Sequence, residues 1–223
     1  MKRFWKEVTV VDGGIRLDGR VVRTPARAEL VVPTHALAEA IAEEWRAQGD
    51  EVDPRAMPLT GLANAAIDRI TPEFAADLAR YGETDLLCYR ADGPDALVAR
   101  QAASWDPLLD WARGRYDIHF ELVTGIMHRP QPAATVTRLA EAVTSCDAFT
   151  LAGLQPLVTI SGSLVTALAL LEGVIDAEDA FDVTHLDELW QAEQWGEDEL
   201  ATDAREVRRE DFLAAAHFLY LLS

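Results

Sequence analysis

Cysteine is scarce: Cys88 and Cys146 are the only two in 223 residues, they lie far apart, and they form no C-x-x-C pair. This argues against a disulfide framework and a structural zinc site, and it fits a reducing compartment. Also missing are the motifs that announce an enzyme. There is no G-x-x-x-x-G-K-[ST], no G-x-G-x-x-G after a strand, no H-E-x-x-H and no G-x-S-x-G. The five histidines, His35, His119, His128, His185 and His217, include no pair at i, i+3 or i+4 that would build a metal site on one helix. No cofactor and no metal are expected. Positive charge is short as well, with 20 Lys and Arg against 38 Asp and Glu, a net charge of −18 that repels nucleic acid and anionic membrane. No repeat or low-complexity tract is present. No signal or transit segment precedes Phe4, so a soluble, cytoplasmic protein is expected.

The stretch with no charge at all is Ala148–Leu171, 24 residues long. Its length suits a membrane span, but its composition does not. Gln155, Pro156, Ser161, Gly162 and Ser163 interrupt it, and its flanks, Asp147, Glu172 and Asp176, are acidic. It is expected as a helix buried on nearly all sides, broken or kinked at Ser161-Gly162-Ser163, with Leu164–Val174 as the inner element. No histidine lies near Ser161 or Ser163, so both read as core serines rather than nucleophiles.

Before this stretch the pattern changes once. Phe4–Val11 alternates like a strand, and Ile15–Leu17, Asp18-Gly19 and Arg20–Arg23 read as a hairpin closed by a type I′ turn. Leu30–Val32 adds a short strand. Pro33-Thr34 opens a helix in which Leu37, Ile41 and Trp45 form one stripe, so Trp45 is read as a structural anchor on the sheet. From Leu59 onward nearly everything is helical. Asp106-Pro107 is expected to end one helix and restart another, and Ile118, Phe120 and Leu122 hint at a strand. The expected class is α+β: a small antiparallel β-rich domain with one helix over 1–58, then an all-helical domain over 59–223 built around 148–174.

The acids are unevenly placed. Residues 176–211 carry 14 of them against three arginines. In this region Leu186, Leu189, Trp190 and Glu193 share a helix face, and Glu193, Glu197, Asp198 and Glu199 cluster around Trp190 and Trp195. Aromatic anchors beside charge are what protein–protein hot spots use. Glu197-Asp198-Glu199 after Gly196 equally suits an acidic first turn that favours the next helix's dipole. The negative field of Asp187-Glu188 is expected to raise the pKa of His185. The final helix spaces Leu200, Ala204, Val207, Asp211, Ala215, Phe218 and Leu222 in one stripe, with Asp211 its polar exception.

Six blocks carry a resemblance: RFWKEVTV with LDGRVVRTP, VPTHALAEAIAEEWRAQG with DPRAMPLTGLANAAID, DLLCYR, WDPLLDWARGRYDI, GSLVTALALLEG and DELWQAEQWGEDEL. In order and spacing they resemble the assembly chaperones of F-type ATP synthase that handle the alpha subunit. The resemblance implies a non-enzymatic chaperone that binds newly made alpha subunit and shields its beta-pairing surface. It implies the same two-part fold, with the tryptophan of the E-E-W block at Trp45 and a functional acidic residue at Glu199, Glu197 and Asp198 being acidic too. Partner-binding residues are thus expected at Glu199, Glu197, Asp198, Glu193, Trp195 and Trp190. Lack of a presequence points to a bacterial member, and a monomer is expected. Two other classes stay open: a carboxylate-dependent hydrolase with a site between the two parts, and an acidic mimic that blocks a basic surface. A deep polar cleft marks the hydrolase, a uniformly acidic face the mimic, and a mixed apolar and acidic face the chaperone.

Overall fold

The computed structural model describes residues 2–125 and 127–223. The chain divides into two compact units: the first is the chain up to Thr71 with Asp147–Gly153 and Ala214–Ser223, and the second is Pro72–Cys146 with Leu154–Leu213.

In the first unit, strands β1 (Val8–Val11), β2 (Gly14–Leu17) and β3 (Arg20–Val21) form an antiparallel sheet in that order, with Val8 opposite Leu17 and Arg16 opposite Val21. At the β2–β3 turn Asp18 and Gly19 take φ of 48° and 80°. Two successive positive φ values are the type I′ requirement, which Asp-Gly meets at low cost. Asp18 also accepts the backbone amides of Lys6 and Glu7 at 3.0 and 2.9 Å. The Leu30–Val32 segment adds to the sheet through the Leu30 amide on the Val22 carbonyl and a bridge between Gly14 and Val31.

Helix α1 (His35–Arg46) is capped by Thr34, whose hydroxyl accepts the Leu37 amide at 3.2 Å, and it buries Leu37, Ala38, Ile41, Ala42 and Trp45. Ile15, Leu17 and Leu30 share a core with this face. Helix α2 (Pro58–Asp68) lacks a side-chain cap of its own, and Glu44 supplies one: its carboxylate accepts the Leu59 and Thr60 amides at 2.7 and 2.8 Å. Leu59 and Ala63 enter the same core. The first segment of this compact unit accordingly runs on through α2 to Thr71.

The remaining elements are α3 (Pro72–Ala79), β4 (Tyr89–Arg90), α4 (Asp95–Tyr116), β5 (Val123–Thr124), α5 (Ala133–Thr144), α6 (Ala148–Ser161), α7 (Leu164–Leu171), α8 (Ala177–Thr184), α9 (Leu186–Trp195) and α10 (Glu199–Tyr220). A small antiparallel sheet followed by helices is the α+β architecture expected.

Several local expectations change. Helix α4 runs unbroken through Pro107, because Gln101, Trp105, Leu108, Leu109 and Ala112 make one continuous buried stripe. An interior proline costs about 3 kcal/mol, which burial of this face outweighs. Asp106 is therefore not a cap; its carboxylate pairs with Arg90 at 2.7 Å. The strand expected at Ile118–Leu122 forms one step later, at Val123–Thr124, parallel to β4. The uncharged run is two helices: Gly162 takes φ of 68°, and the Ser163 hydroxyl accepts the Thr166 amide at 3.0 Å to start α7. Leu164–Ala169 are buried without exception, but Leu171 is only half-buried, and α7 stops there instead of reaching Val174. Gly173, a poor helix residue, follows, and Val174 is exposed. Among the described residues no helix is long and apolar enough to cross a membrane.

Candidate partner-binding corner

Helix α9 is held by its neighbours within the second unit. Leu186 is buried, and the Asp187 carboxylate accepts from the side-chain amide of Gln101 on α4 at 2.7 Å. The His185 ring is buried, stacks on Phe181 at 3.8 Å and lies 2.8 Å from the Phe181 carbonyl. Burial lowers its pKa, opposite to the rise expected from Asp187-Glu188. Desolvation of the imidazolium outweighs the field of a carboxylate nearby.

Trp190 is half-buried, and the Arg100 guanidinium lies 5.8 Å from its ring centroid. Arg100 also donates to Glu193 at 2.6 Å, and this bond holds the Glu193 carboxyl below its ordinary range. Trp190 and Glu193 thus form a pair clamped by one arginine. Trp195, one turn and a half further along, is 78% exposed.

Gly196 ends α9, and the three acids after it have different tasks. The Asp198 carboxylate accepts the Ala201 amide at 2.9 Å, while its carbonyl accepts the Thr202 amide, so Asp198 caps α10. The Glu197 carboxylate accepts from the Thr202 hydroxyl and pairs with Arg205 at 3.1 Å; the hydroxyl bond first, and the arginine after it, lower its pKa. Glu199 opens α10, is exposed and has no ion-pair partner among the described residues. Arg205, nearly buried, also reaches Glu188 at 3.5 Å, and Arg208 reaches Glu188 at 2.7 Å. These arginines tie α9 to α10. A shallow hollow of about 210 Å³ lies at the corner, lined by Glu188, Trp195, Glu197, Thr202 and Arg205.

The corner therefore brings Trp195 together with Glu197 and Asp198, Glu199 follows them outside the hollow as the first residue of α10, and Trp190 and Glu193 are tied through Arg100 to α4. Trp45 lies elsewhere, in the core of the first unit, 9% exposed with its ring edge-on to Trp5 at 5.1 Å. Sequence reasoning missed how exposed the start of α10 is. Leu200 and Val207, placed in one stripe with Phe218, are 80% and 59% exposed. The regular spacing of fours and threes gives the shared face and carries no sign of which half is covered.

The family model described as ATP12 chaperone protein matches residues 2–113. The crystal structure of Atp12 from Paracoccus denitrificans superposes with a TM-score of 0.94 at 43% identity, covering 100% of this chain and 98% of that one. The chain belongs to the ATP12 chaperone family. The Atu1473 protein from Agrobacterium tumefaciens is similar at 45% identity and a TM-score of 0.94, covering 100% of this chain and 86% of that one. Protein atp12, mitochondrial, of Schizosaccharomyces pombe is 28% identical over an alignment of 229 positions that covers 94% of this chain and 78% of the yeast protein. Membership of the ATP12 family makes this chain a chaperone of ATP synthase assembly. The α9–α10 corner combines exposed apolar residues with carboxylates, a mixed face rather than a uniformly acidic one.

Proposed function

We propose that this ATP12 family member binds the newly made alpha subunit of F-type ATP synthase and shields its beta-pairing surface until the catalytic head assembles. The docking site is the α9–α10 corner, with Trp195 as apolar anchor and Glu199 as the principal charge, Trp190 and Glu193 supporting α9 from the other side. One observation carries this reading. Of the three acids after Gly196, Asp198 is committed to capping α10 and Glu197 to Arg205 and Thr202, while Glu199, four residues after the 78% exposed Trp195, is exposed and has no ion pair among the described residues. A large apolar side chain left in water and an uncompensated carboxylate at the start of the following helix are groups that a partner's apolar surface and arginine complete.

Co-purification tests the reading. Tagged protein expressed in its own cells is expected to bring down the alpha subunit when assembly is stalled by loss of the beta subunit. Recovery of other ATP synthase subunits without alpha contradicts it.

A further inference from the structure

The first half of α10 continues away from the corner with a face that the described residues leave largely open to solvent. Leu200, Ala204 and Val207 fall at i, i+4 and i+7, within about 60° of one another around the helix and about 10 Å end to end. Leu200 and Val207 are 80% and 59% exposed, and Ala204 is exposed between them. The small alanine leaves a depression between two larger side chains, the shape into which a ridge from another helix packs. Along one edge of this stripe run Asp203, Glu206 and Glu210, again at i, i+3 and i+7, all exposed and without an ion pair among the described residues. The cations of α10 are committed elsewhere: Arg205 to Glu188 and Glu197, Arg208 to Glu188 and Arg209 to Glu178. What remains for a partner is an apolar ridge with a purely negative edge.

Resting on the alpha-subunit reading above, we infer that this face seats an amphipathic helix of the alpha subunit that carries aliphatic residues on one side and Lys or Arg along its flank. The charge follows from the uncompensated row Asp203–Glu206–Glu210. The helical form follows from the backbone: the amides and carbonyls in the interior of α10 already bond to one another, so they offer nothing to an incoming strand. A docking segment must satisfy its own backbone and reach the stripe through side chains alone, which a helix does.

Two arms test this, both using the full chain and purified alpha subunit. In the first, Leu200→Ser/Val207→Ser and Asp203→Asn/Glu206→Gln/Glu210→Gln are titrated against alpha at low and moderate salt. Each variant is expected to raise Kd at least tenfold, and the triple variant to flatten the salt dependence. Melting should move little, since these side chains already stand in water. In the second arm, a photoreactive side chain at position 207 is cross-linked to bound alpha and the captured peptide is sequenced; a helical segment with a basic flank is expected. If wild-type protein binds alpha but both variants keep Kd within twofold, or the captured segment is acidic or extended, this inference falls and the chaperone reading stands. If wild-type protein does not bind alpha, the reading itself is overturned and this inference with it.

Discussion

The Ser163 hydroxyl donates to the Asp85 carboxylate at 2.9 Å across 78 residues of sequence. The same carboxylate accepts the Val165 amide at 2.9 Å and the Leu87 amide at 3.0 Å, and Asp85 is wholly buried. One side chain thus caps α7 and fixes the turn before β4. Burial pushes its pKa up to about 6, and the three donors oppose that rise.

Asp85→Asn keeps the shape but replaces one acceptor oxygen by a donor that faces other donors. Leaving a buried donor unsatisfied costs roughly 1–3 kcal/mol, and each kcal/mol lowers Tm by about 2–4 °C in a chain of this size. A fall of roughly 2–12 °C is expected in thermal unfolding. An unchanged Tm contradicts the capping role.

The same group has a pH signature. Its folded pKa lies above the ordinary 3.8, so between about pH 4 and pH 6 the native chain holds a proton that the unfolded chain has lost. Its contribution is fully present below the unfolded value and is lost as pH rises through the folded one. Glu193 and Glu197, whose pKa values are lowered by hydrogen bonds, act in the opposite sense as pH falls. The difference in Tm between wild type and Asp85→Asn isolates the one group, and it should be larger at pH 4.5 than at pH 7. A difference that shrinks on acidification runs against this sign.

Trp45→Ala removes a buried aromatic that meets Trp5 edge-on. The expected cost is about 3–5 kcal/mol, enough to leave much of the protein insoluble or partly unfolded. Trp45→Phe keeps a smaller aromatic ring and removes an indole N–H that has no hydrogen-bond partner among the described residues, so it should cost less. A Trp45→Ala chain that melts normally yet fails to bind would move this residue from core to interface.

Gly153 sits inside α6, where alanine is intrinsically better by about 0.8–1.0 kcal/mol. A Cβ added there meets Leu219 atoms at 2.6 and 2.8 Å and Phe218 at 3.2 Å. Overpacking of this kind costs about 1–3 kcal/mol, which outweighs the gain in propensity. Gly153→Ala is expected to lower Tm, and a rise would show that Leu219 moves aside freely.

The hairpin, α1 and the break at Ser161-Gly162-Ser163 were legible because each rests on a local signal: Asp-Gly turn chemistry, a capped apolar stripe, an interrupted run. The continuity of α4 was not, since Pro107 and Asp106 look like a helix start and only distant partners, such as Val183 accepting from the Trp105 indole, override them. The same holds for Glu44, whose capping of α2 has no sequence signature. At the corner, sequence placed Trp195, Glu197, Asp198 and Glu199 together. It had no means of seeing that Arg205 and the α10 amides occupy two of the three acids.

That division of labour gives the most direct measurement of the central claim: affinity for the alpha subunit, by titration, for wild type, Glu197→Ala, Glu199→Ala and the double variant, with Tm of each. Near a helix N-terminus a carboxylate contributes only about 0.3–1 kcal/mol to its own helix, so Tm should change by a few degrees at most. Truncating a desolvated charge at an interface costs about 2–5 kcal/mol, or roughly 30- to several-thousand-fold in Kd. The account predicts that loss for Glu199→Ala, with a smaller one for Glu197→Ala. Full affinity in the double variant, with its fold intact, would contradict it and reduce this turn to the start of a helix.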